Sequence, residues 1–173
     1  SVRIGVQDGV ELHPTFGWPL NRVDFIIAGG KKALLRSIED AEDNIDDAKV
    51  YVEKLKTNKN DILIALAASG NTKFTNEVIK CCKKTNTFTL GITNNPLGEI
   101  VKQSDFSIIL DTGPEVLAGS TRLKAGTSQK ICLNLISTLL MSKLGRIKNG
   151  LMSHLIANNS KLRERKKNIS HLI

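Results

Sequence analysis

Between the apolar runs SDFSIIL and ICLNLISTLLMSKLG lies GPEVLAGSTRLKAGTSQK, residues 113–130. It gathers Glu115, Ser120, Thr121, Arg122 and Lys124 into one connection with three glycines. Apolar packing gives no reason for such a set, whereas a small anionic ligand does. Arg122 and Lys124 can neutralise a phosphate or hold Glu115, while Ser120 and Thr121 can cap the following helix and still face a ligand. Read structurally, Glu115 and Arg122 form an ion pair and the hydroxyls are only caps. A second polar stretch, AASGNT, places Ser69, Gly70, Asn71 and Thr72 at a helix start. Free N–H groups and the helix dipole favour a phosphate there, and Gly70 lets the backbone approach a ligand. Taken alone, SGNT also reads as an ordinary strand-to-helix turn.

The elements that must carry these loops follow from periodicity. VDFIIAGG, residues 23–30, reads as a short buried strand and KKALLRSIEDAED as a helix. Ile45, Ala48, Val52 and Leu55 fall at helical spacing. DILIALA is a strand, and Phe74, Val78, Cys81 and Cys82 make one apolar helix face after Thr72. TFTLGIT is a strand ended by NNP. A short helix over 97–103 and a strand over 106–110 come next. A long helix is expected from about Thr121 to Leu144, with Gly145 as its stop, and the basic KLRERKKN tail reads as helical. The long helix carries apolar residues nearly all round, so it is expected to be buried within a domain or between subunits. Alternating strands and helices give an α/β fold, a parallel sheet flanked by helices on both faces. In such sheets ligands sit beyond the carboxyl ends of the strands, where both polar loops fall.

The 173 residues allow one domain with a real core. The expected division is 1–150 for the α/β domain and 151–173 for a helical extension. The net charge of +8 suits anionic partners. Nucleic acid is disfavoured because no aromatic stacking platform accompanies the basic tail. No apolar run reaches the ~20 residues of a membrane span. Cys81, Cys82 and Cys132 form no CxxC and read as reduced, buried thiols, which points to the cytoplasm.

The motifs GPEVLAGSTRLKAGTSQK, HPTFGWP, IIAGGKKAL, IEDAED, AASGNT, LGRIKNGLM and NNSKLRERKKNI, taken together, resemble the N-acetylmuramic acid 6-phosphate etherases. The glucokinase regulatory protein is more distantly similar. The resemblance implies a sugar isomerase domain, a phosphosugar ligand, a homodimer with sites near the subunit boundary, and no metal or organic cofactor. It implies cleavage of the lactyl ether of N-acetylmuramic acid 6-phosphate to N-acetylglucosamine 6-phosphate and D-lactate, in peptidoglycan recycling. Glu11 in DGVEL matches the family's acid and Glu42 in EDAED its second carboxyl, though the roles can be exchanged. From composition alone both are ordinary surface carboxylates. Ser1 falls in the family's Ser-Gly-Arg phosphate turn, where Val2 replaces the usual glycine; Asn71 stands where arginine is common. The family's strand before that turn and its C-terminal helices have no counterpart here, so the chain resembles an etherase truncated at both ends, whose activity is open. The alternative is a non-catalytic phosphosugar-binding or regulatory domain.

Overall fold

The structure is a computed structural model, and it describes residues 1–171. Its helices are α1 (Val2–Phe16), α2 (Ile45–Leu55), α3 (Lys73–Lys84), α4 (Glu99–Gln103), α5 (Lys124–Lys143) and α6 (Ser160–Ser170). Its strands are β1 (Ile62–Leu66), β2 (Phe88–Thr93), β3 (Phe106–Ile109), β4 (Ile147–Lys148) and β5 (Leu151–Met152). Strands β1, β2 and β3 pair in parallel in that order, with Ile64 opposite Leu90 and Leu90 opposite Phe106. The chain is therefore an α/β protein with a parallel sheet flanked by helices.

The contacts divide it into two compact units. The first holds Ser1–Arg3 and Ile26–Gln129; the second holds Ile4–Phe25 and Lys130–Ile173. Helices α1 and α5 each begin in the first and continue in the second.

In the first unit, Leu63 and Ala65 of β1 share one side of the pleat. Ala65 and Ala67 cluster with Ile79 of α3 and Ile100 of α4. Ala48 and Val52 of α2 pack with Phe74, Val78 and Cys82 of α3, and Ile26, Ala28 and Leu63 close over them. The opposite pleat positions are graded: Ile92 is fully buried, while Phe88 is 48% and Ile62 64% exposed. Burial pushes the pKa of the Cys82 thiol up, as it does for Cys81 and Cys132. Such thiols are poor nucleophiles; Cys82 and Cys132 are buried as expected, whereas Cys81 is only half-buried.

Two segments depart from the sequence reading. The VDFIIAGG stretch forms no ladder among the described residues and ends in a turn, where the Gly30 N–H bonds to Ile27 O at 2.8 Å; Ile27 is buried all the same. KKALLRSIEDAED is no helix. It makes a 3-10 turn over Gly30–Leu34 and then loose turns. Gly29 and Gly30 hold left-handed φ values of 78° and 66°, and Asp40 one of 54°, so helical φ is interrupted on both sides of the apolar residues.

In the second unit, Gly145 ends α5 as expected. Its φ is 72°, its N–H bonds to Ser142 O at 3.0 Å, and the Arg146 N–H reaches Met141 O at 2.9 Å. Those two bonds make a Schellman stop. Arg146 also donates from Nη1 to Phe16 O and Gly17 O, each at 2.8 Å, and stands over the Trp18 ring. Within this chain α5 is not covered all round. Cys132, Leu133 and Met141 are buried, but Ile131, Leu135 and Leu139 are 52%, 58% and 61% exposed.

The start of β3 is clamped to β2 by Asp105. Its Oδ2 accepts from the Thr89 amide and hydroxyl at 2.9 and 2.8 Å, and its Oδ1 pairs with Lys83 at 2.9 Å. The Lys83 ammonium first, then Thr89, hold the Asp105 carboxyl at a pKa of about 2. A carboxylate whose pKa is depressed by folding stabilises fully above its unfolded value and loses that contribution as pH falls. Asp105→Asn should therefore cost about 1 kcal/mol at pH 6, screening of the exposed pair included. The gap to the parent should shrink between pH 4 and pH 2. Urea unfolding across that range measures it.

Candidate functional site

The loop after β1 is fixed by close backbone approach. Gly70 has φ 72°, and a Cβ there would stand 2.7 Å from Gly98 Cα. Its glycine is thus required by the neighbouring loop before any ligand is considered. The Ile100 N–H donates to Gly70 O at 3.0 Å, and Asn95 Nδ2 donates to Ser69 O at 2.9 Å. The Asn71 side chain turns away from the helix it precedes: its Oδ1 accepts the Glu99 N–H at 3.0 Å, at the start of α4. Thr72 occupies the N-cap of α3 as expected, yet its hydroxyl makes no capping bond. The Ser69 hydroxyl accepts from the Asn71 amide at 3.2 Å and is exposed.

Two distant stretches come to the same helix start. The Ser1 hydroxyl accepts the Ala68 N–H at 3.2 Å. The Phe74 N–H, in the first turn of α3, donates to Glu42 O at 2.9 Å, and Lys73 pairs with Asp43 at 3.2 Å. Arg3 Nε donates to Ala33 O and Leu34 O. Ser1, Glu42 and Ser69–Thr72 are therefore gathered around the N-terminus of α3, where amide hydrogens and the helix dipole suit an anion. The exposed Glu42 carboxylate has no hydrogen bond or ion pair among the described residues.

The second loop behaves differently. Glu115 accepts the Lys124 and Ala125 amides at 3.1 and 3.0 Å, capping α5. These bonds, Ala125's first, hold its carboxyl below the usual glutamate range. Helix α5 starts at Lys124 rather than near Thr121, and Ser120 and Thr121 do not cap it. A carboxylate nine residues upstream does so, because an anion satisfies two free amides at once. Glu115 forms no ion pair with Arg122, which is exposed, as is Lys124.

Sequence reasoning missed Asn94 and Asn95. Asn94 Nδ2 donates to Leu110 O and Ser128 Oγ, each at 2.9 Å, and its Oδ1 accepts from Gln129 at 3.1 Å. With Asn95 on Ser69 O, these side chains tie the loop after β1 to the end of β3 and the first turns of α5. The available signal was an Asn-Asn-Pro at a strand's carboxyl end.

Residues 32–139 match the SIS domain. The chain belongs to the SIS domain family. Within this SIS chain, resemblance to named proteins extends beyond the matched region. It is 42% identical over 165 residues, 95% of its length, to a protein named N-acetylmuramic acid 6-phosphate etherase from Deinococcus radiodurans, covering 54% of that protein. It is 43% identical over 169 residues, 98% of its length, to one of the same name from Lactococcus lactis subsp. lactis, covering 57%. The SIS chain thus spans about half the length of the curated relatives it matches. The C-terminal domain of glucosamine-fructose-6-phosphate aminotransferase from Francisella tularensis aligns with a TM-score of 0.59 over 99% of this chain and 39% of that one. At 17% identity that likeness carries the fold alone.

Glu11 lies in the second unit, on the exposed side of α1. It too has no hydrogen bond or ion pair among the described residues. Among the described residues no helix is long and apolar enough to cross a membrane.

Glu115→Gln should lower the thermal midpoint at pH 7 by weakening the cap of α5. Because folding depresses the Glu115 pKa, the deficit should be full above about pH 4.5 and fade below it. Thermal melts against pH read this out. Lost phosphosugar binding at an unchanged midpoint would instead mark Glu115 as a direct ligand contact.

Proposed function

We propose that this chain carries the chemistry of an N-acetylmuramic acid 6-phosphate etherase-type lyase, releasing N-acetylglucosamine 6-phosphate and D-lactate. The observation that carries the reading is the unbroken likeness, 42% identity across 95% of the chain, to a relative of that name. The geometry is consistent with it. Both carboxylates that the resemblance marks, Glu11 and Glu42, are exposed and uncommitted, whereas Asp105 and Glu115 are consumed by structural bonds.

The chemistry needs two proton transfers. In the open-chain aldehyde the proton on C2 is acidic. A base removes it, and the electron pair left behind forms the C2–C3 double bond as the C3–O bond breaks. The departing ether oxygen takes a proton from an acid and leaves as lactate. Water then adds across the double bond, its hydroxyl to C3, and C2 regains a proton. Glu11 serves as the acid and Glu42 as the base, roles that can be exchanged, and neither carboxylate has a structural partner among the described residues. The 6-phosphate falls to Ser1 and Ser69–Thr72 at the start of α3. Ser120, Thr121, Arg122 and Lys124 supply further hydroxyl and cationic contacts. Glu115 holds their loop to α5 with both carboxylate oxygens and reaches a sugar only through the lone pairs those two bonds leave. The reaction belongs to peptidoglycan recycling in the cytoplasm, where phosphorylated amino sugars are handled.

A second copy of this chain covers α5. Ile131, Leu135 and Leu139 recur every four residues on one face and are all more than half exposed. Leu139→Lys should leave the thermal midpoint of the single chain nearly unchanged and give monomer in light scattering. A parent chain that is already monomeric at ~100 μM excludes a dimer of tighter affinity.

Incubating the chain with N-acetylmuramic acid 6-phosphate and measuring D-lactate tests the activity. Glu11→Gln should slow lactate release by roughly 10²–10⁴ while exchange of the C2 proton with solvent persists. Equal rates for variant and parent would leave Glu11 a surface carboxylate. No thermal shift with any phosphosugar at millimolar concentration would overturn the binding assignment.

A further inference from the structure

One face of α1 carries Ile4, Gln7, Asp8 and Glu11 at spacings of three and four, with Gln7 and Glu11 exposed and Ile4 and Asp8 half-buried. Lys130 and Asn134, one turn apart on α5, face them across a pocket of about 180 Å³ within the second unit. Whole small-molecule ligands usually occupy pockets of ~300–1,000 Å³, so this one suits a fragment of a ligand. Its charges are already sorted. Asp8 Oδ1 accepts from the Asn134 amide and from the Ser137 hydroxyl, the latter at 3.3 Å. Asp8 is thereby committed to α5 without pairing with Lys130. Lys130 is exposed, is the one cation lining the pocket, and makes no ion pair among the described residues.

We infer that Lys130 binds the carboxylate of the leaving lactyl group and so sets specificity for a substrate bearing a carboxylated ether. This rests on the etherase reading above and deepens it. In lactate the oxygen to be protonated and the carboxylate are borne on the same carbon. A side chain that protonates that oxygen must therefore stand within a few ångströms of whatever holds the carboxylate. Glu11 and Lys130 line one small pocket, which meets that requirement. The cation is also needed on electrostatic grounds. As lactate departs, Glu11 becomes an anion beside a second carboxylate, with Asp8 as a third negative group. Without Lys130 three like charges would share a pocket of this size, which disfavours binding of the acid. Asn134, held by Asp8, keeps the neighbouring wall of the pocket in place.

The experiment titrates N-acetylmuramic acid 6-phosphate and N-acetylglucosamine 6-phosphate, which lacks the lactyl group, against the full chain, Lys130→Met and Lys130→Arg. A charge-assisted contact is worth roughly a factor of ten to a hundred. Lys130→Met should therefore weaken the first sugar by about ten-fold or more and the second by less than about two-fold. Lys130→Arg should recover most of the discrimination, which loss of packing alone would not explain. If Lys130→Met changes both sugars alike, or neither, Lys130 is a solvated surface lysine and the inference fails while the etherase reading stands. If the parent chain binds neither sugar and releases no lactate, the etherase reading fails and takes the inference with it.

Discussion

The contact between Gly70 and Gly98 sets the geometry of the first unit at the carboxyl ends of its strands. Two backbones meet there at a separation that a single added carbon would close to 2.7 Å. Around that contact the Ile100 amide bonds to Gly70 O, the Asn71 side chain to the Glu99 amide, and Asn95 to Ser69 O. Each of these bonds spends a polar group of one loop on the backbone of the other. The polar loops at the carboxyl ends of β1 and β2 are consequently one structure, and the direction in which α3 presents its N-terminus follows from it. Substituting either glycine would strain the loop before it touched any ligand.

Much of this architecture was legible from periodicity. Helix α2 runs from Ile45 to Leu55, as its apolar spacing implies, and α3, β2 and β3 fall within a residue or so of their apolar patterns. These elements are decided locally, by one buried face and clear caps. The failures share a cause. VDFIIAGG has the composition of a strand, but strands are made by partners, and its partner is a matter of tertiary structure. KKALLRSIEDAED has the composition of a helix, but the two glycines before it and the turn at Asp40 fix the backbone instead.

The site was legible in a more uneven way. That SGNT would stand at a helix start was read correctly, and that Glu42 would be tied to the same helix start was not, since the tie is a backbone bond from Phe74 to Glu42 O. Glu115 shows why residue type alone misleads. A glutamate in a loop rich in hydroxyls and cations looks like ligand chemistry, yet two amides at the start of α5 claim it. What separates it from Glu11 and Glu42 is hydrogen bonding already made, which no pattern in the sequence displays.

The order in which the chain builds its two units has a consequence for synthesis. The second unit needs residues 4–25 and also residues 130–173. On a ribosome the early piece emerges first and must wait for roughly a hundred residues before its partners exist, some 5–20 s at ~5–20 residues per second. Phe16, buried in the folded protein, belongs to that early piece. The first unit, nearly continuous in sequence, can assemble meanwhile. The second unit is thus the later of the two to have all its residues, because its sequence is split around the first.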